Sequence, residues 1–367
     1  MGKPYPPISY TDYLKINDLL SLQKKRSDEL GHSAHDEMLF IVVHQTYELW
    51  FKQILTELDS VLGIFRQTKI DEEDMGTAVS RLQRIVEIQK LLVNQVTVLE
   101  TMTPLDFLDF RDYLYPASGF QSLQNRMIEN KLGLKVEQRL TYNQSPYSSY
   151  IPENERGRLK KTEEESSLFD LIDAWLARTP FLQTGGFDFW SAYRKAVQAA
   201  FDEDRDVVRS HPHLTETDKE RNLKEIDGSY DTFLALFDEK RFEDLRSQGS
   251  FRISYRGLHA ALLIQLYRDQ PVLHLPFQVI TALQDIDELM TTWRYRHSLM
   301  AHRMLGRKIG TGGSSGAQYL KGATDKHRIF ADFFNLATFF IPRSRLPALP
   351  EEMKKQLGFF YSAEAGH

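Results

Sequence analysis

Two histidines, His44 and His297, stand at positions where imidazole chemistry would be shielded from water. An imidazole can bind a metal ion through one ring nitrogen, or exchange a hydrogen bond or a proton with a substrate. Each follows an aromatic residue by one helical turn, Phe40 in one case and Trp293 in the other. A lone histidine on an apolar face is more often an ordinary core residue. Two long predicted helices that each direct a histidine toward the core favour a ligand or substrate site.

The helix that carries His297 is predicted to start at about Phe277 and to end before a glycine-rich loop. His302 follows five residues later and is rotated by about 140° on an α-helix, so we expect it to face away from the core. The residues predicted to face the core recur in steps of four and three, and are Ile286, Met290, Trp293, His297, Met300 and Met304.

The loop at residues 310–316 reads GTGGSSG and leaves two interpretations open. It is a flexible linker of Gly/Ser type, or an ordered loop whose small residues bring backbone and hydroxyl groups, including that of Thr311, close to a ligand. It is not a phosphate-binding Walker loop, because no Gly-Lys-Ser/Thr follows, and no predicted strand precedes it as a dinucleotide site would require.

The helix that carries His44 is predicted to begin at a capping sequence in residues 33–36 and to run to about Phe65. A third long helix is predicted from about Glu72 to Thr101. The stripe of the His44 helix that should face the core contains Phe40, His44, Tyr47, Phe51, Ile54 and Leu58.

Arg111 lies among aromatic residues, in the sequence LDFLDFRDYLYPASG. The commonest fate of an arginine is the solvent-exposed surface. In an apolar setting, however, a guanidinium group suits the bidentate binding of a carboxylate. Arg111 is therefore a candidate anion clamp.

The remaining pattern is helical with little alternation at period two, so the sequence predicts an all-α protein with a single domain over residues 1–367. Residues 141–165 are rich in Asn, Ser, Pro, Lys and Glu and are predicted to be a loop or surface excursion. Residues 326–340 are predicted to form the last long helix. Residues 1–34 form a polar arm with Tyr10 and Tyr13 one turn apart.

The composition excludes several classes of function. The chain has no cysteine, which rules out disulfides, thiolate nucleophiles and thiolate-ligated metals, so that a metal would need histidine or carboxylate ligands. A net charge of −5 gives no general attraction to nucleic acid. We found no uninterrupted apolar run of about 18 residues and no apolar signal region, so we expect a cytoplasmic protein without a membrane partner.

Three long motifs resemble the tryptophan 2,3-dioxygenase family of haem enzymes over nearly the whole chain. In order along the chain, these motifs are HDEMLFIVVHQTYELWFKQILTELDSV, FRDYLYPASGFQSLQNRMIENKLG and WRYRHSLMAHRMLG with the later GTGGSSG. The resemblance implies an all-α homotetramer with haem b held between long helices, one per subunit. Ferrous iron and O₂ would convert L-tryptophan to N-formyl-L-kynurenine, the first step of the kynurenine route.

The resemblance also implies roles for particular residues. His297 would bind the haem iron, which leaves His302 without a role. His44, the candidate catalytic residue, would accept a hydrogen bond from the indole N–H, beside the phenyl ring of Phe40. Arg111 would hold the substrate carboxylate and Thr311 its ammonium group.

Further positions follow from the same resemblance. Phe107 lies where some family members have tyrosine, which makes the pocket more apolar. Tyr10 and Tyr13 would belong to an arm exchanged between subunits that reaches a neighbouring site. The residues implied to form a wall of small side chains over the haem are Leu114, Ala117, Ser118 and Gly119.

Two other functions stay open at this level. A related haem enzyme that oxygenates a substituted tryptophan would share the same motifs. A non-enzymatic haem-binding or scaffold protein would have no need for a carboxylate clamp beside a distal histidine, so the joint presence of His44 and Arg111 argues against it.

Overall fold

The computed structural model describes residues 5–140, 146–179, 188–306, 308, 322, 324 and 326–358. Within these ranges all regular structure is helical and no strand occurs, which confirms the predicted all-α class. None of the helices found there is long and apolar enough to cross a lipid bilayer. The α-helices are α1 Tyr10–Leu14, α2 Ile16–Leu19, α3 Arg26–Glu29, α4 Glu37–Phe65, α5 Glu72–Leu99, α6 Pro104–Arg111, α7 Leu123–Leu132, α8 Glu153–Glu164, α9 Leu168–Ala177, α10 Phe189–Ser210, α11 Glu216–Leu234, α12 Glu239–Ser247, α13 Tyr255–Leu266, α14 Pro271–Leu305, α15 Ala331–Asn335 and α16 Glu351–Leu357.

The contacts between Cα atoms group the chain into two compact units, each assembled from three separate stretches. Three of the boundaries fall inside helices α4, α5 and α14, so neither unit is one continuous piece of sequence. The first unit contains Met1–Thr56, Glu87–Glu165 and Leu289–Arg328, and the second contains Glu57–Val86, Ser166–Glu288 and Ile329–His367.

The predicted stripes of α4 and α14 are found in the structure. On α4, Tyr47, Phe51, Ile54 and Leu58 are buried and Phe40 is partly buried. His44 is exposed, so the prediction that it faces the core was wrong, because the helix places it at the edge of the buried stripe. On α14, His302 is exposed, which confirms that it faces away from the core. The α14 residues of the predicted stripe that are buried are Ile286, Met290, Met300 and Met304.

Helix α14 begins six residues earlier than the periodicity predicts, at Pro271 instead of about Phe277. Proline is favoured at the first helical position because its missing N–H has no intrahelical partner there. Pro276 lies inside the helix and removes one backbone hydrogen bond in its second turn. The prediction was wrong because it took both prolines as breaks before the helix.

Two predicted segments differ from the structure. Residues 141–165 were expected to be a loop or surface excursion, but α8 occupies Glu153–Glu164. That helix buries few residues, among them Leu159, so its sequence shows almost no apolar stripe. Residues 326–340 do not form a long helix, because α15 covers only Ala331–Asn335 and a 3₁₀ helix follows at Leu336–Phe339.

In the second unit, α13 packs closely against α9. A Cβ atom on Gly257 would lie 2.1 Å from Oδ1 of Asp173, so only glycine permits this approach. The same carboxylate accepts hydrogen bonds from the backbone N–H of Ser254 at 3.0 Å and from its hydroxyl group at 2.7 Å. Asp173 therefore fixes the start of α13 and gives the second unit a rigid helix pair.

Candidate functional site

The imidazole of His44 is held on α4 by its own helix. Its Nδ1 lies 2.7 Å from the carbonyl oxygen of Phe40, one turn earlier, and the two rings have centroids 4.0 Å apart. A carbonyl oxygen can only accept, so Nδ1 carries the proton and donates it. This leaves the lone pair of Nε2 available to accept a hydrogen bond from a ligand.

His44 is exposed to solvent. Desolvation by the surrounding protein nevertheless lowers its pKa, against the opposing effects of the Phe40 carbonyl and Glu48. The exposure and the lowered pKa agree if protein atoms lie around the ring but leave part of it open to solvent. The ring is therefore neutral at pH 7 and does not compete as a cation for anionic groups.

A cluster of phenyl rings lies next to His44. Phe40 of α4 lies 5.9 Å from Phe107 and 5.6 Å from Phe110 between ring centroids, and the last two, both on α6, are 5.4 Å apart. Phe110 is fully buried, whereas Phe40 and Phe107 are partly accessible. The partly accessible rings give the site an apolar surface suited to a flat aromatic ligand.

Arg111 is the last residue of α6 and follows directly on this aromatic cluster. The helix starts at a reciprocal cap, in which Thr103 accepts from the backbone of Asp106 and Asp106 accepts from the N–H of Thr103 at 2.9 Å. The Arg111 side chain is 17% exposed and forms an ion pair of 3.8 Å with Asp112, whose side chain is 89% exposed. A partly buried guanidinium group is suited to the bidentate binding of a carboxylate.

The loop after Arg111 has small, accessible residues. The backbone N–H of Ala117 donates to the carbonyl of Leu114 at 2.6 Å, and Ser118 caps the 3₁₀ helix Gly119–Gln121. Ala117 and Gly119 are exposed, and Leu114 and Ser118 are partly buried. A Cβ atom on Gly119 would meet no heavy atom within 4 Å, so the backbone here can be approached closely by a ligand.

His297 projects from α14 and is partly buried. Its Nδ1 is buried and, among the described residues, has no hydrogen-bond partner. Burial first, and then the electrostatic influence of His44, lower the pKa of His297 to about 4. His297 is therefore neutral at pH 7.

The ring of Trp293 covers one side of His297. Their centroids are 5.6 Å apart, and Trp293 in turn lies 5.9 Å from Tyr47 and 6.2 Å from Phe51. These contacts bring the inward stripes of α4 and α14 together inside the first unit. Because all four rings are packed, the orientation of His297 is restricted before any ligand binds.

The donor set fits haem better than a bare metal ion. No group of three His, Asp or Glu residues that could hold a metal occurs within the described ranges. A neutral imidazole whose ring has no fixed partner there would suit an iron that takes its remaining ligands from a macrocycle. His297 meets this requirement, while the exposed His302 lacks the enclosing walls.

The structure thus brings together Phe40, His44, Phe107 and His297, with Arg111 adjoining the phenyl cluster. It does not bring in the arm tyrosines, which lie in α1 with 75% of Tyr10 and 71% of Tyr13 exposed. Thr311 and the rest of the glycine-rich loop lie outside the described residues.

Sequence reasoning missed two acids that form hydrogen bonds with α7 or lie on it, the partly buried Glu48 and the buried Glu129. Glu129 is 3% exposed and lies on α7 among three arginines. The available signal was the stripe of α7, where Arg126 and Asn130 stand at helical spacing from the apolar Leu123. Polar residues in a core position of a helix indicate a buried network.

Known proteins match this chain from end to end. A family model described as tryptophan 2,3-dioxygenase matches residues 6–340. A tryptophan 2,3-dioxygenase of Bdellovibrio bacteriovorus is 57% identical over 357 residues, covering 97% of this chain and 99% of that protein. Proteins of the same name from Dictyostelium discoideum and Mus musculus are each 46% identical, covering 97% of this chain and 89% and 87% of their own lengths. The chain belongs to the tryptophan 2,3-dioxygenase family.

Proposed function

We propose that this protein is a tryptophan 2,3-dioxygenase, which inserts both atoms of O₂ across the indole C2–C3 bond of L-tryptophan to give N-formyl-L-kynurenine. The family is haem-dependent and uses O₂. Haem b, one per subunit with ferrous iron in the active form, is the cofactor we propose. The observation that carries the proposal is the packing of α14 against α4 through Trp293, which contacts Tyr47 and Phe51 on α4 and His297 on its own helix.

His297 is the residue that would hold the haem iron. Its low pKa keeps the ring neutral at pH 7, so one ring nitrogen has a lone pair for a metal and no proton must be displaced from it. When bound, the haem supplies the iron that binds O₂ and makes it reactive toward an electron-rich ring. The Trp293 ring lies 5.6 Å from the His297 ring between centroids and would shield one side of it from water.

The substrate would be held at both ends. Arg111 binds the carboxylate and Thr311 the ammonium group, while Phe40 and Phe107 contact the indole ring. Nε2 of His44 accepts the indole N–H, because its other nitrogen already donates to the Phe40 carbonyl. The small residues Leu114, Ala117, Ser118 and Gly119 leave room for the cofactor, so the indole can be placed against bound oxygen.

The assembly we propose is a homotetramer whose N-terminal arms are exchanged between subunits. Support comes from α1, a five-residue helix without a buried residue, whose Tyr10 and Tyr13 side chains are mostly exposed. Large exposed aromatic groups on a short arm are typical of a segment that packs on another chain.

The test is the product formed from L-tryptophan and isotopically labelled O₂ by the reduced, haem-loaded protein. We expect N-formyl-L-kynurenine with both labelled oxygen atoms, detected by mass spectrometry. Incorporation of one labelled atom, or turnover only of a ring-substituted tryptophan, would favour a related haem enzyme with a different reaction instead.

A further inference from the structure

The carboxylate of Glu129 is the centre of a buried ion cluster in the first unit. Its Oε1 accepts from Nη2 of Arg294 at 3.0 Å. Its Oε2 accepts from Nη1 of Arg126 at 3.0 Å and from Nη1 of Arg139 at 2.5 Å. The exposed fractions of the four side chains are all 8% or less. One acid therefore fixes three guanidinium groups out of contact with water.

The charge of this cluster makes its geometry rigid. Burial alone would raise the pKa of Glu129, but Arg139, Arg126 and Arg294 together hold that pKa well below its usual range. The carboxylate is therefore ionised, and each contact is a charge-assisted hydrogen bond. Three buried cations around one anion leave no low-energy alternative position for the acid.

The cluster is connected directly to the haem-binding side of the proposed site. Arg294 lies three residues before His297 on α14, so the two side chains are carried by the same helical turn. Nη1 of Arg294 also donates to the carbonyl of His327 at 3.1 Å. Because an α-helix is stiff over one turn, a fixed Arg294 also fixes the rotation of α14 about its axis and its position along that axis at His297.

The other end of α7 is connected to the substrate side. Glu48, one turn after His44 on α4, accepts from the hydroxyl of Ser122 at 2.6 Å and from Nε2 of Gln124 at 2.8 Å. Ser122 is the N-cap of α7. Helix α7 thus contacts the helix that carries His44 at its first turn and the helix that carries His297 at its second.

We propose that Glu129 is a positioning residue for the haem ligand: through Arg294 it fixes His297 relative to His44, with α7 as the spacer between the two histidine helices. This inference rests on the proposed function, because it takes His297 as the iron ligand. Neither Glu129 nor Arg294 touches substrate or cofactor in this proposal. Their effect is exerted through the orientation of one imidazole.

The decisive variant is Glu129→Gln, which keeps the size of the side chain and removes its charge. Glu57→Gln is the matched control, because Glu57 is also a 3% exposed acid held by arginines, at 2.9 Å from Arg84 and 3.4 Å from Arg81, but in the second unit. Both variants should lower the melting temperature. Only Glu129→Gln should disturb the haem ligand.

Two measurements on the haem-loaded proteins separate positioning from general stability. In the ferrous form, resonance Raman spectroscopy reports the iron–histidine stretching frequency, which we expect to shift in Glu129→Gln and to stay unchanged in Glu57→Gln. The rate of haem transfer to an excess of a scavenging haem protein should rise about 10- to 100-fold in Glu129→Gln, the usual effect of losing an outer-shell partner of a metal ligand. Unchanged frequency and unchanged transfer rate would overturn the proposal.

If Glu129→Gln does not fold, Arg294→Lys decides. The lysine keeps the positive charge but cannot contact both Glu129 and the His327 carbonyl with a planar fork, so we expect a smaller shift in the same direction. A wild-type spectrum in Arg294→Lys would contradict the inference. A His297→Ala protein that retains haem normally would instead overturn the proposed function on which it rests.

Discussion

The polarity of a single histidine ring determines what the proposed site can do with an indole. In His44 the bond from Nδ1 to the Phe40 carbonyl leaves Nε2 as an acceptor, and the lowered pKa keeps it unprotonated. A neutral acceptor can orient an indole N–H. Because that N–H is a very weak acid, we infer that His44 positions the ring and does not remove its proton.

We therefore expect His44→Ala to retain measurable dioxygenation while binding L-tryptophan more weakly. An obligatory general base would instead contribute roughly 10²- to 10⁴-fold to turnover. Steady-state kinetics with L-tryptophan and 1-methyltryptophan distinguish the two roles, since the methylated substrate cannot donate to Nε2. It should fit relatively better in the variant than in the parent. A variant that binds haem and O₂ but is inactive toward both substrates would favour the general base.

Arg111→Leu should raise the Michaelis constant for L-tryptophan by about ten- to a hundredfold. Hydrogen bonds to charged groups contribute roughly 1.5 to 3 kcal/mol, and the variant leaves the substrate carboxylate without its partner. Haem content, measured on the same preparation, should not change and serves as the control. A Michaelis constant equal to that of the parent protein would mean that other residues bind the substrate carboxylate.

At the scale of elements, periodicity was a reliable guide wherever a helix has a clear apolar face. Most of the two stripes of α4 and α14, and the exposed position of His302, follow from residue spacing, but His44 was predicted to face the core and is exposed. Helix α8 was missed because its residues are almost all Glu, Lys, Arg and Asn, and its stability depends on a few contacts such as Leu159 against Ile151 and Tyr147. The same cluster includes Leu123 of α7, 36 residues before Leu159, and helical spacing within α8 does not reveal such a contact.

The segment after residue 326 shows the opposite error. Its buried apolar residues, Phe330, Phe333, Leu336 and Phe339, are spaced by three residues. That spacing was read as part of an α-helical stripe, but a strict three-residue repeat also fits a 3₁₀ helix, in which such residues align. The acids Glu48 and Glu129 were missed for a related reason, because a charged residue in a helix is expected at the surface until its partners are known.

One helix makes stability depend on pH. His259 of α13 is buried between the rings of Trp190 and Tyr255, with Nε2 2.7 Å from the Leu236 carbonyl, and burial lowers its pKa from 6.5 to about 4. Below pH 6.5 the unfolded chain therefore binds a proton that the folded chain does not. The contribution of His259 to stability is complete above pH 6.5 and is lost as the pH decreases toward 4, by up to about 3 kcal/mol.

We expect His259→Gln, which can still donate to Leu236, to show a shallower loss of unfolding free energy between pH 6.5 and 4. Denaturant unfolding at a series of pH values measures this directly. His302→Gln, at an exposed position on α14, controls for the loss of an imidazole. Equal slopes in His259→Gln and the parent would show that His259 does not contribute to the acid sensitivity.

At the scale of the whole molecule, the proposed arm exchange makes one subunit depend on another. If the arm with Tyr10 and Tyr13 completes a neighbouring site, subunits with defects in different parts can complement each other. We expect co-expressed Arg111→Leu and Tyr10→Ala/Tyr13→Ala chains to regain activity, since some mixed sites combine an intact Arg111 with an intact arm. Activity no greater than the average of the two separate variants would argue for sites completed within one chain.

The central claim is that His297, on the inward stripe of α14, holds the haem. The measurement that tests it most directly is the haem content per subunit of His297→Ala and His302→Ala, purified in parallel from haem-supplemented cells. We predict that His297→Ala is isolated folded but without haem, and that His302→Ala contains the same amount of haem as the parent. A His297→Ala protein with normal haem content, or loss of haem in His302→Ala alone, would contradict the account.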